Sequence, residues 1–297
     1  MGAGPSGEVY KELRPLAFSI AYRMLGSASE AEDVVQEGML RLHRALEGGE
    51  GVDSPRAYLS TVVTRLAIDE LRSARARREV YVGEWLPEPI LTTDGAAGAA
   101  DPAAEAEVAD SLSLSFLVVL ESLTPEQRAA FLLREVFDYP YELVAEILGK
   151  SEPAARQLVS RARGELDERR PRFETSREQR ERLARRFMEA ARDGDLAGLE
   201  ALLADDVELH GDGGGKAPAL SQVLRGRSRV AKTLRNWMKA AGKFGIADVQ
   251  LAEVNGQPGA VFRREDGSVF SVVCLEISDG HIQRVNSVVN PEKLTRL

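Results

Sequence analysis

The sequence predicts a multidomain chain. Two all-α segments, a helical bundle and a helix-turn-helix, are followed by an α+β domain with a curved antiparallel sheet. Three observations predict it. Apolar residues recur at helical spacing over residues 8–80. Residues 125–166 string short helical stripes around a glycine turn. Beyond residue 247 the apolar repeat shortens to alternation, with turn residues between the runs.

In the bundle, Leu13, Leu16, Ala17, Ile20, Ala21, Met24 and Leu25 form the first stripe. Gly26-Ser27 ends it, and Ser29 is the predicted cap of the next helix. There Val34, Val35, Gly38, Leu42 and Ala45 share one face, and Glu32, Asp33, Gln36, Glu37 and Arg41 the other. Gly48-Gly49 breaks the chain, and Ser54-Pro55 opens a third helix with Leu59, Val62, Val63, Leu66, Ala67 and Leu71 inward. The same helix carries Arg56, Tyr58, Thr61, Thr64, Arg65, Asp69 and Arg72, with Arg75, Arg77 and Arg78 after it. Cations that track phosphate beside aromatic faces that stack bases suit a single-stranded nucleic acid, and Tyr58 and Tyr81 are the stacking candidates.

In the second segment, Ala129, Phe131, Leu132 and Leu133 mark a support helix, and Leu143, Val144, Ile147 and Leu148 a second. Gly149-Lys150-Ser151 turns the chain into a third, with Pro153 in its first turn and Leu158, Val159 and Ala162 inward. Its outer face shows Arg156, Gln157, Ser160, Arg161 and Arg163. Such a helix after a tight turn suits the DNA major groove, where Arg pairs with guanine and Gln with adenine.

The third segment begins with an amphipathic helix over residues 177–192, with Leu183, Ala184, Phe187, Met188 and Ala191 inward. A short helix follows over 196–203, a strand starts at 207–210, and another helix spans 229–241 with Leu234, Trp237 and Met238 inward. Strands are predicted over 247–254, 259–264, 269–277 and 281–289, with turns at Gly256, Asp266-Gly267 and Asp279-Gly280. Helices followed by a meander imply helices on one face of a sheet.

The net charge is -8, so any nucleic-acid contact rests on local cationic patches. Residues 83–110 hold seven acids and no Lys or Arg, an acidic tether between two basic stretches that is able to shield them. The single cysteine, Cys274, excludes an intrachain disulfide, and His43, His210 and His281 are scattered, so neither a metal site nor a cofactor is expected. No apolar run reaches the ~20 residues of a membrane span, and no secretory leader is evident, which points to the cytoplasm and to no membrane partner. His210 and Asp212 suggest acid–base chemistry, but the strand is expected to end at Gly211, leaving them on different sides. Cys274 reads as core, and the chain is expected not to be an enzyme.

The order of these segments resembles the extracytoplasmic-function sigma factors of bacterial RNA polymerase. Ala31-Glu32-Asp33-Val34-Val35-Gln36-Glu37 is similar to that family's polymerase-docking helix. Pro55-Arg56-Ala57-Tyr58-Leu59 through Arg65 and Asp69-Glu70-Leu71-Arg72 is similar to its promoter-melting, −10-reading helix, although Leu66 stands where many members have Asn. Leu123-Thr124-Pro125-Glu126-Gln127-Arg128 opens a stretch resembling region 4, whose last helix reads the −35 element. The third segment resembles a SnoaL-like cone. Trp85-Leu86-Pro87-Glu88-Pro89, Asp212-Gly213-Gly214-Gly215-Lys216 and Asn290-Pro291-Glu292-Lys293-Leu294 are similar to the signature motifs of sigma factors that carry such a domain.

The resemblance implies four parts: region 2 over 8–80, an acidic linker over 81–102, region 4 over 103–170 and the SnoaL-like domain over 176–297. It implies core RNA polymerase and promoter DNA as partners, and the cone allows for an unidentified small ligand. Asp33, Gln36, Glu37 and Arg41 would meet polymerase. Arg56, Tyr58, Thr61, Thr64, Arg65 and Arg72 would meet the −10 strand, and Arg156, Gln157, Ser160 and Arg161 the −35 duplex. The glycine loop and the C-terminal motif are expected to hold the linker, where a half-hydrophobic Trp85 needs a dock. Consecutive glycines also suit an anion site, with Lys216 supplying charge. A ligand-responsive helix-turn-helix repressor would explain the helix-turn-helix and the cone but not the melting and docking helices.

Overall fold

A computed structural model describes residues 6–48, 51–92, 111–166 and 175–297. Residues 93–102 of the acidic linker, the expected start of region 4 at 103–110, its end at 167–170 and the side chains of Arg75 and Arg77 lie outside the described residues. The chain runs α1 (Ser6–Leu25), α2 (Ala28–Glu47), α3 (Pro55–Glu79), α4 (Leu114–Val119), α5 (Pro125–Phe131), α6 (Tyr141–Leu148) and α7 (Glu152–Leu166). It continues through α8 (Arg177–Asp193), α9 (Leu196–Leu202), β1 (Leu203–Asp212), β2 (Leu224–Arg225), α10 (Arg227–Ala240), β3 (Ile246–Val254), β4 (Gln257–Arg264), β5 (Val269–Ser278) and β6 (His281–Val288). No helix among the described residues is long and apolar enough to cross a membrane. Contacts group Met1–Val80 with Leu117–Arg170, and Tyr81–Phe116 with Pro171–Leu297.

In the first unit, Ser27 rather than Ser29 caps α2, its side chain accepting from the Glu30 amide at 3.2 Å. Ser54 caps α3 and Pro55 fills its first turn, where a missing amide costs nothing. Gly38 lets α2 approach α3: a Cβ there would lie 2.8 Å from Val63 Cγ2. Thr124 and Gln127 form a reciprocal cap on α5, which ends in a π-type turn at Leu132–Val136. Gly149, at φ 62°, ends α6 in the left-handed region that favours glycine. Ala130, Leu133, Tyr139, Val144, Ile147, Ala155 and Val159 form the core of the helix-turn-helix.

In the second unit the strand order is β2-β1-β6-β5-β4-β3. β3 to β6 form the expected antiparallel meander, but β1 pairs parallel with β6, so the sheet is mixed. A parallel pair needs a long crossover, and α10 with the meander supplies it. Asn255-Gly256 and Asp279-Gly280 turn two hairpins with positive φ at both residues, as tight hairpins require. One sheet face packs Leu209, Ala260, Phe262, Val273, Leu275, Ile277 and Val285 against Ala184, Phe187, Leu199, Val230 and Leu234 of the helices. Trp237, predicted inward, is instead 37% exposed, while Leu234 and the half-buried Met238 make the core contact. Seven consecutive residues of β5, Ser271 to Ile277, are buried, so both faces of this strand are covered.

Candidate functional site

The second cover is the linker. β1 runs through Gly211 to Asp212, one turn of the alternation further than expected, because Asp212 stays in register with Val288 of β6. Its carbonyl also accepts from the amides of Val289 (2.8 Å) and Asn290 (3.0 Å). His210 and Asp212 therefore share a side of the strand, correcting the expectation that they diverge, and both meet linker groups.

Asp212 is fully buried. Its carboxylate accepts from the Tyr81 hydroxyl at 2.5 Å, the Leu86 amide at 2.9 Å and the Lys293 ammonium at 2.7 Å. Lys293 also donates to the Leu86 carbonyl and sits 4.5 Å over the Trp85 ring and 4.9 Å over the Tyr81 ring. A cation beside a carboxylate and two aromatic faces is well matched in a site with little water. Asn290 donates to the Tyr81 oxygen at 2.8 Å and caps its own turn at Glu292. Burial and the Asp212 hydrogen bond push the Tyr81 phenol well above its ordinary value. Tyr81 is thus occupied within this unit rather than offered to a base.

The glycine loop fits the same place. Gly214 and Gly215 have φ of 58° and 70°. A Cβ on Gly214 would lie 2.3 Å from Asn290 Nδ2 and 2.8 Å from the Tyr81 oxygen, and one on Gly215 would lie 3.0 Å from Val82 Cβ. Gly213 has no room either, with the Ala217 carbonyl 2.2 Å from its Cβ position. Lys216, the expected anion ligand, pairs with the Glu292 carboxylate at the surface.

Of the linker motif, Leu86, Pro87, Glu88 and Pro89 are buried and Trp85 half-buried. Glu84 lies 2.5 Å from His210 Nδ1, and Glu208 lies 3.0 Å from His210 Nε2. Burial pushes the Glu208 carboxyl up, but hydrogen bonds from His210 and Arg225 and the Arg284 charge outweigh it and hold it at about 2. Further along, Ile90 and Asn255 exchange backbone and side-chain hydrogen bonds at 2.9 and 3.0 Å, Thr92 donates to Glu253, and Leu91 bridges Val254. Asn255 also donates to the Leu112 carbonyl, and Glu276 accepts from the Ser115 amide at 3.1 Å and Asn286 at 3.0 Å. Sequence reasoning missed Glu84, Asn255, Ser115, Glu276 and Asn286. For Glu276 and Asn286, a polar residue inside an apolar strand run was the available signal, because a buried polar group needs a partner.

The nucleic-acid candidates lie in the first unit. On α2, Asp33, Gln36 and Arg41 are exposed, and half-buried Glu37 pairs with Arg41 at 2.7 Å. On α7, Arg156, Gln157, Ser160 and Arg161 are all exposed. Arg156 is bound by Glu152 and stacks 4.1 Å over Tyr141. On α3, Arg56 is exposed, Tyr58 and Thr61 are half-buried, and the Thr61 hydroxyl donates to the Ala57 carbonyl. Thr64 departs from the expectation: in the described state it is fully buried and presents no surface to a nucleic acid. The reason is its place on the face of α3 that carries buried Ser60, which bonds Tyr139 at 2.8 Å. Arg65 donates to the carbonyls of Ile147 (2.9 Å) and Glu146 (3.0 Å) at the end of α6, and Arg72 pairs with Asp69 and Glu126.

Comparison with known proteins agrees with this architecture. The Sigma-70 region 2 model matches residues 9–77, the Sigma-70 region 4 model residues 113–166 and the SnoaL-like domain model residues 184–285. The chain is 37% identical over 293 residues to ECF RNA polymerase sigma factor SigJ of Mycobacterium tuberculosis (strain ATCC 25618 / H37Rv), covering 96% of this chain and 92% of that protein. It is 33% identical over 298 residues to the protein named Probable ECF RNA polymerase sigma factor SigI of the same strain, covering 99% and 96%. The crystal structure of the Mycobacterium tuberculosis SigJ superposes with a TM-score of 0.75 at 36% identity, covering 97% of this chain and 98% of that one. The chain belongs to the ECF RNA polymerase sigma factors, the initiation factors of transcription, and carries a SnoaL-like domain after region 4.

Proposed function

We propose that the chain brings core RNA polymerase to promoters and that its C-terminal domain regulates this step in cis by holding the linker between regions 2 and 4. Asp33, Gln36, Glu37 and Arg41 meet polymerase. Arg56, Tyr58, Thr61, Arg65 and Arg72 meet the −10 strand, and Arg156, Gln157, Ser160 and Arg161 read the −35 duplex. One observation carries the regulatory reading: the buried carboxylate of Asp212 is shared by Tyr81 and Leu86 of the linker and by Lys293 of the C-terminal motif. Chain connectivity gives this contact its leverage. The segment that joins the two sigma regions belongs, by its contacts, to the C-terminal unit. Docking shortens the free tether between region 2 and region 4, and the reach of a tether sets which separations are accessible. Arg65 and Arg72 bond region 4 in the described state, so their use on DNA requires that packing to open, and a docked linker biases that equilibrium.

The test is promoter-dependent transcription with core RNA polymerase. It compares the full chain, Asp212→Asn, and truncations before Asn290 and near residue 171. Initiation by any form supports the sigma role. A change in promoter output on loss of Asp212 or of residues 290–297, with polymerase binding retained, supports cis control. Equal output from all forms overturns it.

A further inference from the structure

From the charge distribution on α10, we infer that the SnoaL-like domain carries a DNA-phosphate-binding face of its own. Residues 227–244 hold six Lys or Arg and no Asp or Glu, in a chain whose net charge is -8. Two of the six are committed elsewhere. Arg227 donates to the Leu203 carbonyl and pairs with Asp205 at 3.0 Å. Arg235 is half-buried with its Nε sealed from solvent. The other four, Arg229, Lys232, Lys239 and Lys243, are exposed, and none forms an ion pair with a carboxylate among the described residues.

Their spacing puts them together. Arg229, Lys232 and Lys239, with Asn236 between, recur at intervals of three and four and so form one stripe. Val230, Ala231 and Leu234 bury the opposite side of α10 in the core, which turns the stripe fully outward. Lys243 extends it into the following turn. From Arg229 to Lys239 the stripe spans about 15 Å at 1.5 Å per residue. Over that length one DNA strand presents about four phosphates at ~3.4 Å each.

DNA is the occupant this chemistry favours. Membrane-surface helices bury a broad apolar face in lipid, whereas Val230, Ala231 and Leu234 of α10 are spent on the core and only Trp237, with Phe244 after the helix, stays exposed. Segregated, unpaired cations are also what an acidic chain needs to approach a polyanion. The contact reads no sequence; it adds a backbone anchor, for a protein whose family engages promoters.

The test uses holoenzyme assembled from core polymerase and the full chain, on a promoter fragment with long upstream duplex. Binding is measured from about 50 to about 200 mM salt for the wild type and for the combined Arg229→Gln, Lys232→Gln, Lys239→Gln and Lys243→Gln variant. The slope of log affinity against log salt is expected to fall by about 0.9 for each phosphate released, two to four in all, with promoter preference unchanged. A photocrosslinker at position 239 is expected to label upstream DNA in the same complex, which keeps the idea testable if the combined variant misfolds. An unchanged slope, or crosslinks that go to polymerase or to vesicles of anionic lipid and never to DNA, overturns the inference.

Discussion

Asp212 is the residue on which the linker contact turns. It has no solvent to fall back on, and three donors converge on it. Removing one member of such a buried pair strands the other, at a cost of about 3 kcal/mol or more. Asp212→Asn is therefore expected to loosen the linker and lower the stability of the domain. Trp85 emission in a Trp237→Phe background reads this directly, and an unshifted spectrum with unchanged urea unfolding would show that the contact is dispensable. His210 adds a second tie, lying between Glu84 of the linker and Glu208 of β1. Arg225 and Arg284 also face Glu208, whereas the Oε2 atom of Glu84 is buried without another partner. His210→Ala is expected to leave Glu84 without its side-chain partner and to loosen the linker. The same Trp85 signal followed in urea tests this, and an unchanged midpoint refutes it.

Among the elements, the loop after β1 shows why glycine recurs. Gly214 needs both a left-handed backbone and the absence of a Cβ, whereas Gly245, at φ 69°, needs only the backbone. Gly245→Ala is expected to cost about 1–2 kcal/mol, the left-handed penalty alone. Gly214→Ala is expected to cost clearly more, because Asn290 and Tyr81 occupy the space. Thermal unfolding of the two variants gives the comparison, and equal losses would mean the loop is not packed on the linker. Helix α3 shows a different division of labour. Arg56 in its first turn is exposed, whereas Ser60, one turn on, is buried on Tyr139 of region 4, and Thr64, a further turn on, is buried too. The even mixture of polar residues along this helix concealed that split, since hydroxyl residues are as easily buried and bonded as exposed.

At the scale of the whole molecule, regions 2 and 4 form one unit fastened by buried charge. Glu121 pairs with Arg128 at 2.5 Å and with Arg78, and Arg128 donates to the Arg23 carbonyl at 3.0 Å. Burial alone would raise the Glu121 carboxyl, but Arg128 and Arg78 outweigh it and hold it below its ordinary value. A depressed carboxyl stabilises the fold above the unfolded value of about 4.3, and that contribution is lost as pH falls below it. Glu121→Gln is expected to be less stable at neutral pH and to show a flatter acid limb in unfolding followed by circular dichroism. An acid limb as steep as the wild type would place the acid-sensitive group elsewhere. Under the proposed function, this fastening would have to open before Arg65 and Arg72 could meet DNA.

The sequence by itself determined the element types. Helical and extended periods, the Ser54-Pro55 and Thr124-Pro125 starts and the Asn255-Gly256 and Asp279-Gly280 turns are local physics, legible without a partner. Motif order also made the sigma and SnoaL-like architecture legible. What only the tertiary structure decided is long-range. It set β1 parallel beside β6, carried that strand through Asp212, sealed Thr64 and turned Trp237 outward. It also brought Glu84 onto His210 of β1 and Ser115 onto Glu276 of β5. Those outcomes depend on which surfaces meet across more than a hundred residues of chain. Periodicity shows that a face will be buried, and packing alone selects what buries it.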